Sequence, residues 1–342
     1  MADVLKVGIA GCGKIAHEDH VPGWLGVKGA KITALCDANP AQMETLSAKF
    51  GLDDAARFTD AAAMFRSGVD AVVICTPNRL HRPMTLDALK AGLHVLCDKP
   101  MAATTPETTR MIAAARKAGR ILQVNHSFHY YPPTVALMKL IRQGVIGKPI
   151  HLRCLRACGE TPDVGWSQGA TWFVQKAWEG GIVLDIGVHM AEMMRWAAGP
   201  VAELAAFTGT HKAGIDVVDN ASVIMRFENG ASGVLELSWT TPCGGVFFEV
   251  YGERGTLRMG FTEAAPIELI KPGRKGAPDV VTHPKVPVKC VTSQQAFFDA
   301  IHGKAPSPTP GELGRDAIAL CEAIMKSGET GKFVKVKEFR AR

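Results

Sequence analysis

A glycine turn that joins a short apolar run to a helical segment is the feature that most constrains this fold. The run 4–10 is followed directly by Gly11-Cys12-Gly13-Lys14-Ile15-Ala16, where a helical pattern begins. Similar β-rich runs recur with helical patterns between them, at 31–37, 70–76, 94–100 and 120–126. Strands that alternate with helices in this way are buried on both faces, which predicts a parallel, doubly wound α/β sheet.

The helical patterns of this region end at glycines. The stretches 41–50, 83–90 and 106–118 are followed by Gly51, Gly92 and Gly119. A glycine just beyond the last helical residue is typical of a C-cap. We therefore expect short helices between the strands.

The pattern changes after Gly147-Lys148-Pro149. Alternating strand-like runs follow with few helices between them, apart from one helical pattern near 186–198. Such alternation, with turn signals such as Asn229-Gly230, predicts an α+β domain with a large, mostly antiparallel open sheet. We divide the chain into 1–126 and 127–342. The packing of the closing helices, about 294–302 and 312–327, and of a short strand near 333–336 is left open.

Composition excludes several classes of protein. Hydrophobic residues make up 47% of the 342 residues and charged residues 21%, which excludes a disordered or fibrous chain. No apolar stretch reaches the ~20 residues of a membrane span, and the N-terminus lacks a signal peptide's apolar region, so we expect a cytoplasmic protein. The net charge of +6 is spread without a long basic run, and no helix-turn-helix pattern is present, so nucleic acid is not an expected partner.

The nine cysteines are best explained as reduced core thiols. Cys36, Cys75 and Cys97 lie inside apolar runs, and no CxxC occurs. Cys154 and Cys158 lack a second pair of ligands at zinc-finger spacing. We therefore expect no structural metal.

The glycine turn has the context of a dinucleotide-binding loop. Gly11 permits the tight turn, Gly13 lets a pyrophosphate approach the backbone, and small Ala16 lets the helix pack close to the strand. Asp37 ends the next strand, 21 positions after Ala16, where a carboxylate hydrogen-bonds ribose hydroxyls. Its charge repels the 2′-phosphate of NADP, so NAD is the predicted cofactor. Asp37 could also be the N-cap of the following helix.

Three further segments give the chain a resemblance to a known family. They are Thr76-Pro77-Asn78 with His81, Asp98-Lys99-Pro100, and Gly180-Gly181 followed by Asp185-Ile186-Gly187-Val188-His189. In order and spacing, together with the glycine turn and Asp37, they resemble the Gfo/Idh/MocA family, named for glucose-fructose oxidoreductase and inositol dehydrogenase. The resemblance extends over essentially the whole chain.

The resemblance implies a site shared by cofactor and substrate. Lys99 and His189 would face the substrate carbon that exchanges hydride with the nicotinamide, and Asp185 would orient the substrate or the histidine. The resemblance also implies a cis peptide between Lys99 and Pro100. The candidate cofactor-binding residues are Gly11, Gly13, Lys14, Ile15, Asp37, Thr76, Pro77, Asn78, His81, Asp98 and Asn125.

Elementary chemistry agrees with these catalytic roles. Oxidation of a secondary alcohol releases a proton, and a neutral histidine such as His189 is a suitable base near neutral pH. A lysine such as Lys99 stabilises developing alkoxide charge. Asp185 and His189 are four residues apart and would share one helical face. Each residue also has a structural alternative: a helix cap for Asp185, a core histidine for His189 and a solvated turn for Lys99.

The chain departs from the family pattern around the substrate pocket. Asp98 stands where glutamate is more common, Phe173 follows Trp172 where arginine is common, and Glu192 replaces an aspartate three residues after His189. The segment 125–132 lacks the arginines often seen there. Substrate identity is therefore the least transferable property. Candidate pocket residues, which could equally be core or interface residues, are His126, His129, Tyr130, Trp166 and Trp172.

Reversible oxidation of a hydroxyl on a sugar, sugar derivative or cyclic polyol is the expected activity. One alternative is an NAD-dependent, redox-neutral glycoside hydrolase, and a weaker one is a non-catalytic nucleotide-sensing regulator. Exposed sheet faces in the second domain favour self-association into a dimer or tetramer.

Overall fold

Six parallel strands form the sheet of the N-terminal half. The structure, a computed structural model, describes residues 4–260, 267–275, 277–287 and 289–336. The strand order is β3-β2-β1-β4-β5-β6, and every pair is parallel. The strands are β1 (Leu5–Ala10), β2 (Ala30–Cys36), β3 (Ala56–Phe58), β4 (Ala71–Ile74), β5 (His94–Asp98) and β6 (Leu122–Asn125). This confirms the predicted doubly wound sheet and adds β3.

Helices cover both faces of this sheet. Neighbouring residues of β4 point to opposite sides, so that Val73 packs in one apolar cluster while Val72 and Ile74 pack in another. Both faces are thus buried, as expected for parallel strands. The helices are α1 (Val21–Leu25), preceded by a π-helical turn (Ala16–His20), α2 (Pro40–Phe50), α3 (Ala61–Phe65), α4 (Asn78–Lys90) and α5 (Thr105–Ala118).

Local sequence explains where these helices begin and end. α2 begins at Pro40 behind Asn39, whose side-chain oxygen accepts the Ala41 N–H. α2 and α5 end at Gly51 and Gly119, both in the left-handed conformation that glycine adopts without steric cost. α4 starts at Asn78, five residues before the predicted start at Pro83.

A nine-stranded mixed sheet dominates the second half. Its order is β14-β13-β12-β11-β7-β10-β9-β8-β15, and all pairs are antiparallel except β7 with β10. The strands are β7 (Pro149–Ala157), β8 (Val201–Gly209), β9 (Asn220–Phe227), β10 (Ser232–Ser238), β11 (Val246–Gly252), β12 (Gly255–Gly260), β13 (Glu268–Lys271), β14 (Val280–Thr282) and β15 (Val334–Lys335). The predicted, mostly antiparallel sheet is confirmed, with β13 and β14 in addition.

One face of this sheet is buried. In β9, Val223 and Met225 join the core, whereas Ile224 and Arg226 point to the other side and are exposed. The buried face packs with methionine-rich α8, and Gly233 of β10 leaves room for the Met194 side chain. The helices are α6 (Pro132–Arg142), α7 (Pro162–Gly165) and α8 (Val188–Ala198), which a π-helical turn (Val183–Gly187) precedes.

The closing segment divides between two compact units. One unit comprises Met1–Ser127 and Val291–Arg315, and the other Phe128–Cys290 and Asp316–Arg342. α9 (Ser293–Ile301) lies in the first unit, where Phe297 packs edge-on against Trp24, and the division falls inside α10 (Gly311–Thr330). Residues 291–315, whose packing the sequence left open, belong with the first unit, where Phe297 and Phe298 of α9 join its core.

Candidate active site

The glycine turn at the end of β1 has the stereochemistry that the sequence predicts. Gly11 has φ +97°, and a Cβ there would lie 2.5 Å from the Cys75 carbonyl oxygen. No heavy atom lies within 4 Å of the Cβ position at Gly13, and Ala16 is fully buried. A larger residue is therefore excluded at Gly11, whereas the backbone at Gly13 is open to an approaching phosphate.

Asp37 follows β2 and has a carboxylate oriented by the backbone. Its Oδ2 accepts the Cys12 N–H at 2.8 Å, and its Oδ1 accepts the Asn39 N–H at 2.9 Å. The N-cap of α2 is Asn39, so the alternative role of Asp37 as that cap is wrong. The carboxylate is thereby held beside the glycine turn, with lone pairs left for ribose hydroxyls.

Lys14 and Ile15 lie at the start of the helical segment after the turn. The Lys14 ammonium forms an exposed ion pair with Glu18 at 2.9 Å, and Ile15 precedes the π-helical turn.

The segment after β4 is tied to the segment after β5 through a histidine. Pro77 precedes α4, and Asn78 and His81 are buried in the first turns of that helix. The His81 ring nitrogens lie 2.7 Å from the carbonyl oxygens of Thr76 and Pro100. Both nitrogens are thus engaged by the backbone.

The ends of β5 and β6 carry a buried polar cluster. The Asn125 side-chain N–H groups donate to Asp19 at 2.8 Å and to Asp98 at 3.0 Å. His20 Nε2 lies 3.6 Å from the Asp98 carboxylate. Burial raises the pKa of Asp98, but His20, together with Lys99 and His81, outweighs burial and holds that pKa below its usual range. Sequence reasoning missed Asp19 and His20, since only the fold brings the π-helical turn beside β5.

Lys99 immediately follows β5, and the Lys99–Pro100 peptide is cis, as the resemblance predicted. Because the strands are parallel, their carboxyl ends lie at one edge of the sheet. Gly11, Asp37, Thr76, Lys99 and Asn125 all follow or end strands at this edge, and the strand order reverses between β1 and β4. Ligands of doubly wound sheets bind at such a switch point.

The residues at this edge fit a dinucleotide. Gly13 leaves space for phosphate, and the Asp37 carboxylate can accept ribose hydroxyls. In the described part of the chain, the buried Asn125 Oδ1 has no hydrogen-bond partner, so it remains an acceptor for a bound amide or hydroxyl group.

In the second unit, Asp185 and His189 lie one turn apart. The π-helical turn that contains Asp185 runs directly into α8, which contains His189, and the Asp185 N–H bonds to the Gly181 carbonyl. Gly181 has φ +108°, and a Cβ at Gly180 would lie 2.2 Å from the Phe173 carbonyl oxygen. The glycine pair therefore allows the chain to turn tightly into this helical segment.

The ring of His189 packs edge-on against Phe128, with 5.2 Å between ring centroids. His189 is half-buried and Asp185 is buried. The imidazole thus packs against an apolar ring, and the residue is only partly exposed.

A second polar cluster lies one turn farther along α8. Glu192 is buried and accepts hydrogen bonds from Arg195 Nε at 2.7 Å and from His129 Nε2 at 3.2 Å. The His129 ring stacks on Trp196 with 3.9 Å between centroids. The predicted pocket residue His129 is therefore part of a buried network. The sequence signal for this network was the spacing of Glu192 and Arg195, which are three residues apart and so are neighbours on the helix surface.

The other candidate pocket residues do not form one cluster. Trp172 stacks on buried Phe173, and Trp166 meets Phe173 edge-on while staying 41% exposed. Tyr130 is half-buried in the second unit, whereas His126 is buried in the first. Phe173, which stands where a cation is common, is thus a core residue of this aromatic group.

Two negative observations apply to the residues that the structure describes. No group of three or more His, Cys, Asp or Glu side chains there could hold a metal ion. None of the helices there is both long enough and apolar enough to cross a membrane. All nine cysteines are free, and six of them, including Cys36, Cys75 and Cys97, are buried as expected. The expectation of a core thiol is wrong for Cys243, which is exposed, while Cys158 and Cys290 are partly buried.

Two family models match this chain. Residues 5–126 match an oxidoreductase family with an NAD-binding Rossmann fold, and residues 134–258 match the C-terminal domain of the Gfo/Idh/MocA family.

Curated relatives and solved structures match over nearly the whole length. D-apiose dehydrogenase of Paraburkholderia graminis is 29% identical, over 98% of this chain and 91% of that enzyme. The 1,5-anhydro-D-fructose reductase of Ensifer adhaerens is also 29% identical, over 96% of this chain and 98% of that enzyme. An oxidoreductase of Agrobacterium radiobacter, solved with NAD⁺, L-tartaric acid and magnesium, is 25% identical with a TM-score of 0.84, over 97% of this chain and 98% of that one. The chain therefore belongs to the Gfo/Idh/MocA family of NAD-binding oxidoreductases.

Proposed function

We propose that this NAD-dependent oxidoreductase, which acts on CH–OH groups, uses a sugar, sugar derivative or cyclic polyol as substrate, and that Lys99 and His189 handle the proton. The observation that carries the proposal is the position of Lys99 directly after β5, at the sheet edge that also holds the glycine turn and Asp37. The relatives named for D-apiose and 1,5-anhydro-D-fructose support a monosaccharide-like substrate.

The chemistry divides between cofactor and protein. Bound NAD supplies the hydride acceptor. His189 accepts the hydroxyl proton as the carbon loses hydride, and the Lys99 ammonium stabilises the negative charge that develops on the oxygen. Asp185 orients the imidazole or a substrate hydroxyl from the preceding turn. In the reductive direction the same proton returns from His189 to the oxygen.

A substrate panel tests the activity itself. NADH formation is followed by absorbance with inositols, aldoses, sugar acids and anhydrosugars, with NADP in parallel. We expect turnover with NAD and at least one compound. Hydrolysis of a chromogenic glycoside without accumulation of NADH would count against this function and favour the redox-neutral hydrolase.

The role of His189 is tested by His189→Ala. Loss of a general base lowers kcat by roughly 10²–10⁴-fold, and we expect NAD binding to be unchanged. His211→Ala is the control, because His211 is an exposed histidine of the same unit. Full turnover by the His189 variant would exclude its role as base.

The role of Lys99 is tested by Lys99→Met, which retains a long side chain without its charge. We expect kcat to fall by roughly 10²–10³-fold, as for removal of a donor to a developing oxyanion. Measurement of kcat with saturating NAD separates this effect from weaker cofactor binding. An unchanged kcat would remove Lys99 from the mechanism.

We also propose that the chain self-associates, as a dimer or tetramer, through the open face of the nine-stranded sheet. Phe207 of β8 is 84% exposed and Ile224 of β9 is 52% exposed. Ile224 of β9 lies opposite Ala205 of β8. Ala205 and Phe207 are two residues apart and therefore point to the same side of β8, so the side chains of Phe207 and Ile224 share the open face. Exposed apolar side chains grouped on one face are typical of an interface.

A further inference from the structure

His81 has an arrangement of hydrogen bonds that constrains its charge. The residue lies in the first turns of α4 and is 1% exposed. Its Nδ1 lies 2.7 Å from the carbonyl oxygen of Pro100, and its Nε2 lies 2.7 Å from that of Thr76. Each ring nitrogen therefore has a backbone carbonyl as its partner.

Carbonyl oxygens accept hydrogen bonds and have no proton to donate. A neutral imidazole has a single N–H, so one of the two contacts would bring a nitrogen lone pair against an oxygen lone pair at 2.7 Å. Only the imidazolium, in which both nitrogens carry a proton, donates to both oxygens. The charge-assisted form also suits the short distances.

The charged groups that face His81 lie on β5 and directly after it. Burial has the largest effect on the pKa of His81 and lowers it below its usual value. The two carbonyl oxygens and the Asp98 carboxylate act in the opposite direction and raise the pKa, while Lys99 also lowers it. Asp98 is itself paired with His20, which keeps its carboxylate ionised. Burial therefore opposes a charged ring, whereas the two short contacts to carbonyl oxygens require one, with the Asp98 carboxylate as the nearby anion.

We propose that His81 is an imidazolium that ties the Thr76 peptide to the Pro100 peptide and acts as a positioning residue for the cofactor-binding edge. The Thr76 peptide begins the segment Thr76-Pro77-Asn78, and the Pro100 peptide directly follows Lys99. His81 therefore acts through the backbone, with no ring nitrogen left for a ligand. The effect on turnover rests on the proposed function, whereas the protonation state does not.

Nitrogen-15 NMR of the full-length protein, with labelled histidine and no substrate, tests the charge. His81 is assigned through its backbone connection to Leu80, so no variant has to fold. We expect two protonated ring nitrogens at neutral pH. His94 is the internal control, because its Nδ1 accepts the Ile121 N–H and burial with nearby Arg120 lowers its pKa to about 4. An unprotonated nitrogen on His81 at neutral pH would overturn the proposal.

NAD binding, measured by titration calorimetry against pH, tests the positioning role. The glutamine of His81→Gln carries no charge and cannot donate to both carbonyl oxygens as an imidazolium does. We expect the affinity for NAD to fall roughly tenfold, as for loss of a hydrogen bond to a charged group. We also expect the NAD affinity of the wild type to fall as the pH rises through the range in which NMR shows loss of a His81 ring proton, and the variant to lack that dependence. His94→Gln is the matched control and should retain both properties.

The outcomes are distinguishable from failure of the proposed function. Neither the NMR signature nor NAD binding requires a sugar substrate, so an inactive substrate panel leaves both readouts intact. Unchanged NAD affinity in a folded His81→Gln protein would overturn the positioning role. If His81→Gln does not fold, the wild type alone tests the positioning role. A constant NAD affinity across the pH range in which NMR shows loss of the ring proton would then overturn it.

Discussion

At the scale of single residues, Asp37 is the proposed selector of NAD over NADP. Its two oxygens are oriented by the N–H groups of Cys12 and Asn39. We expect Asp37→Ser to lower kcat/KM for NAD by roughly ten- to a hundredfold, because a hydrogen bond to a charged group is lost. The value for NADP should rise, since repulsion of the 2′-phosphate is removed. Steady-state kinetics with both cofactors measure the ratio.

Asp60→Ser is the control for this experiment. Asp60 also has a carboxylate that accepts two backbone N–H groups, those of Ala62 and Ala63, but it caps α3. A lost or weakened cap affects stability by about 1 kcal/mol or less and should leave the cofactor ratio unchanged. Equal shifts in both variants would show that Asp37 acts through stability alone.

At the scale of elements, the helical segment 183–198 contains the candidate base and, one turn later, a buried ion pair. Burial raises the pKa of Glu192, but His129 and Arg195 outweigh burial and hold it below 4.5. The pair therefore contributes stability that is fully present above pH 4.5 and is lost as the pH falls through the lower, folded-state pKa.

Glu192→Ala leaves the Arg195 guanidinium without its buried partner at 2.7 Å, although Asp316 lies 3.5 Å from it. We expect the free energy of unfolding to fall by about 3–5 kcal/mol, measured by urea denaturation near neutral pH. The matched control is Glu203→Ala, which removes the exposed pair with Arg226 and should cost below about 1 kcal/mol. The difference between the variants should shrink in acid. A loss no greater than that of the control would contradict a stabilising role for the buried pair.

At the scale of the whole molecule, the open sheet face sets the expected state of association. We expect Phe207→Asp to shift the protein towards the monomer, because the proposed interface would bury an unpaired carboxylate. Light scattering coupled to size exclusion measures the mass. Val164→Asp, on α7, introduces the same charge at another exposed apolar residue and should leave the mass unchanged. A monomeric wild type, or a Phe207 variant of unchanged mass, would contradict the proposal.

The sequence by itself determined the features that depend on neighbours along the chain. Gly11 after β1 and Gly51 after α2 were predictable because local sterics require glycine at their φ angles. The alternation of strands and helices determined the parallel sheet, and its carboxyl ends placed Asp37 and Lys99 at one edge. α6 was missed although Pro132 and Pro133 mark its start, a signal that local reasoning could have used.

Only the tertiary structure decided which distant residues meet. β3 has three residues and pairs only with β2 among the described strands, so its sequence pattern is too short to identify it. His20 reaches Asp98, and His81 joins Thr76 to Pro100, through contacts that no spacing rule encodes. The physical reason is that a strand or helix is specified by period and turn chemistry, whereas partners of a buried polar group are specified by the packing of whole elements.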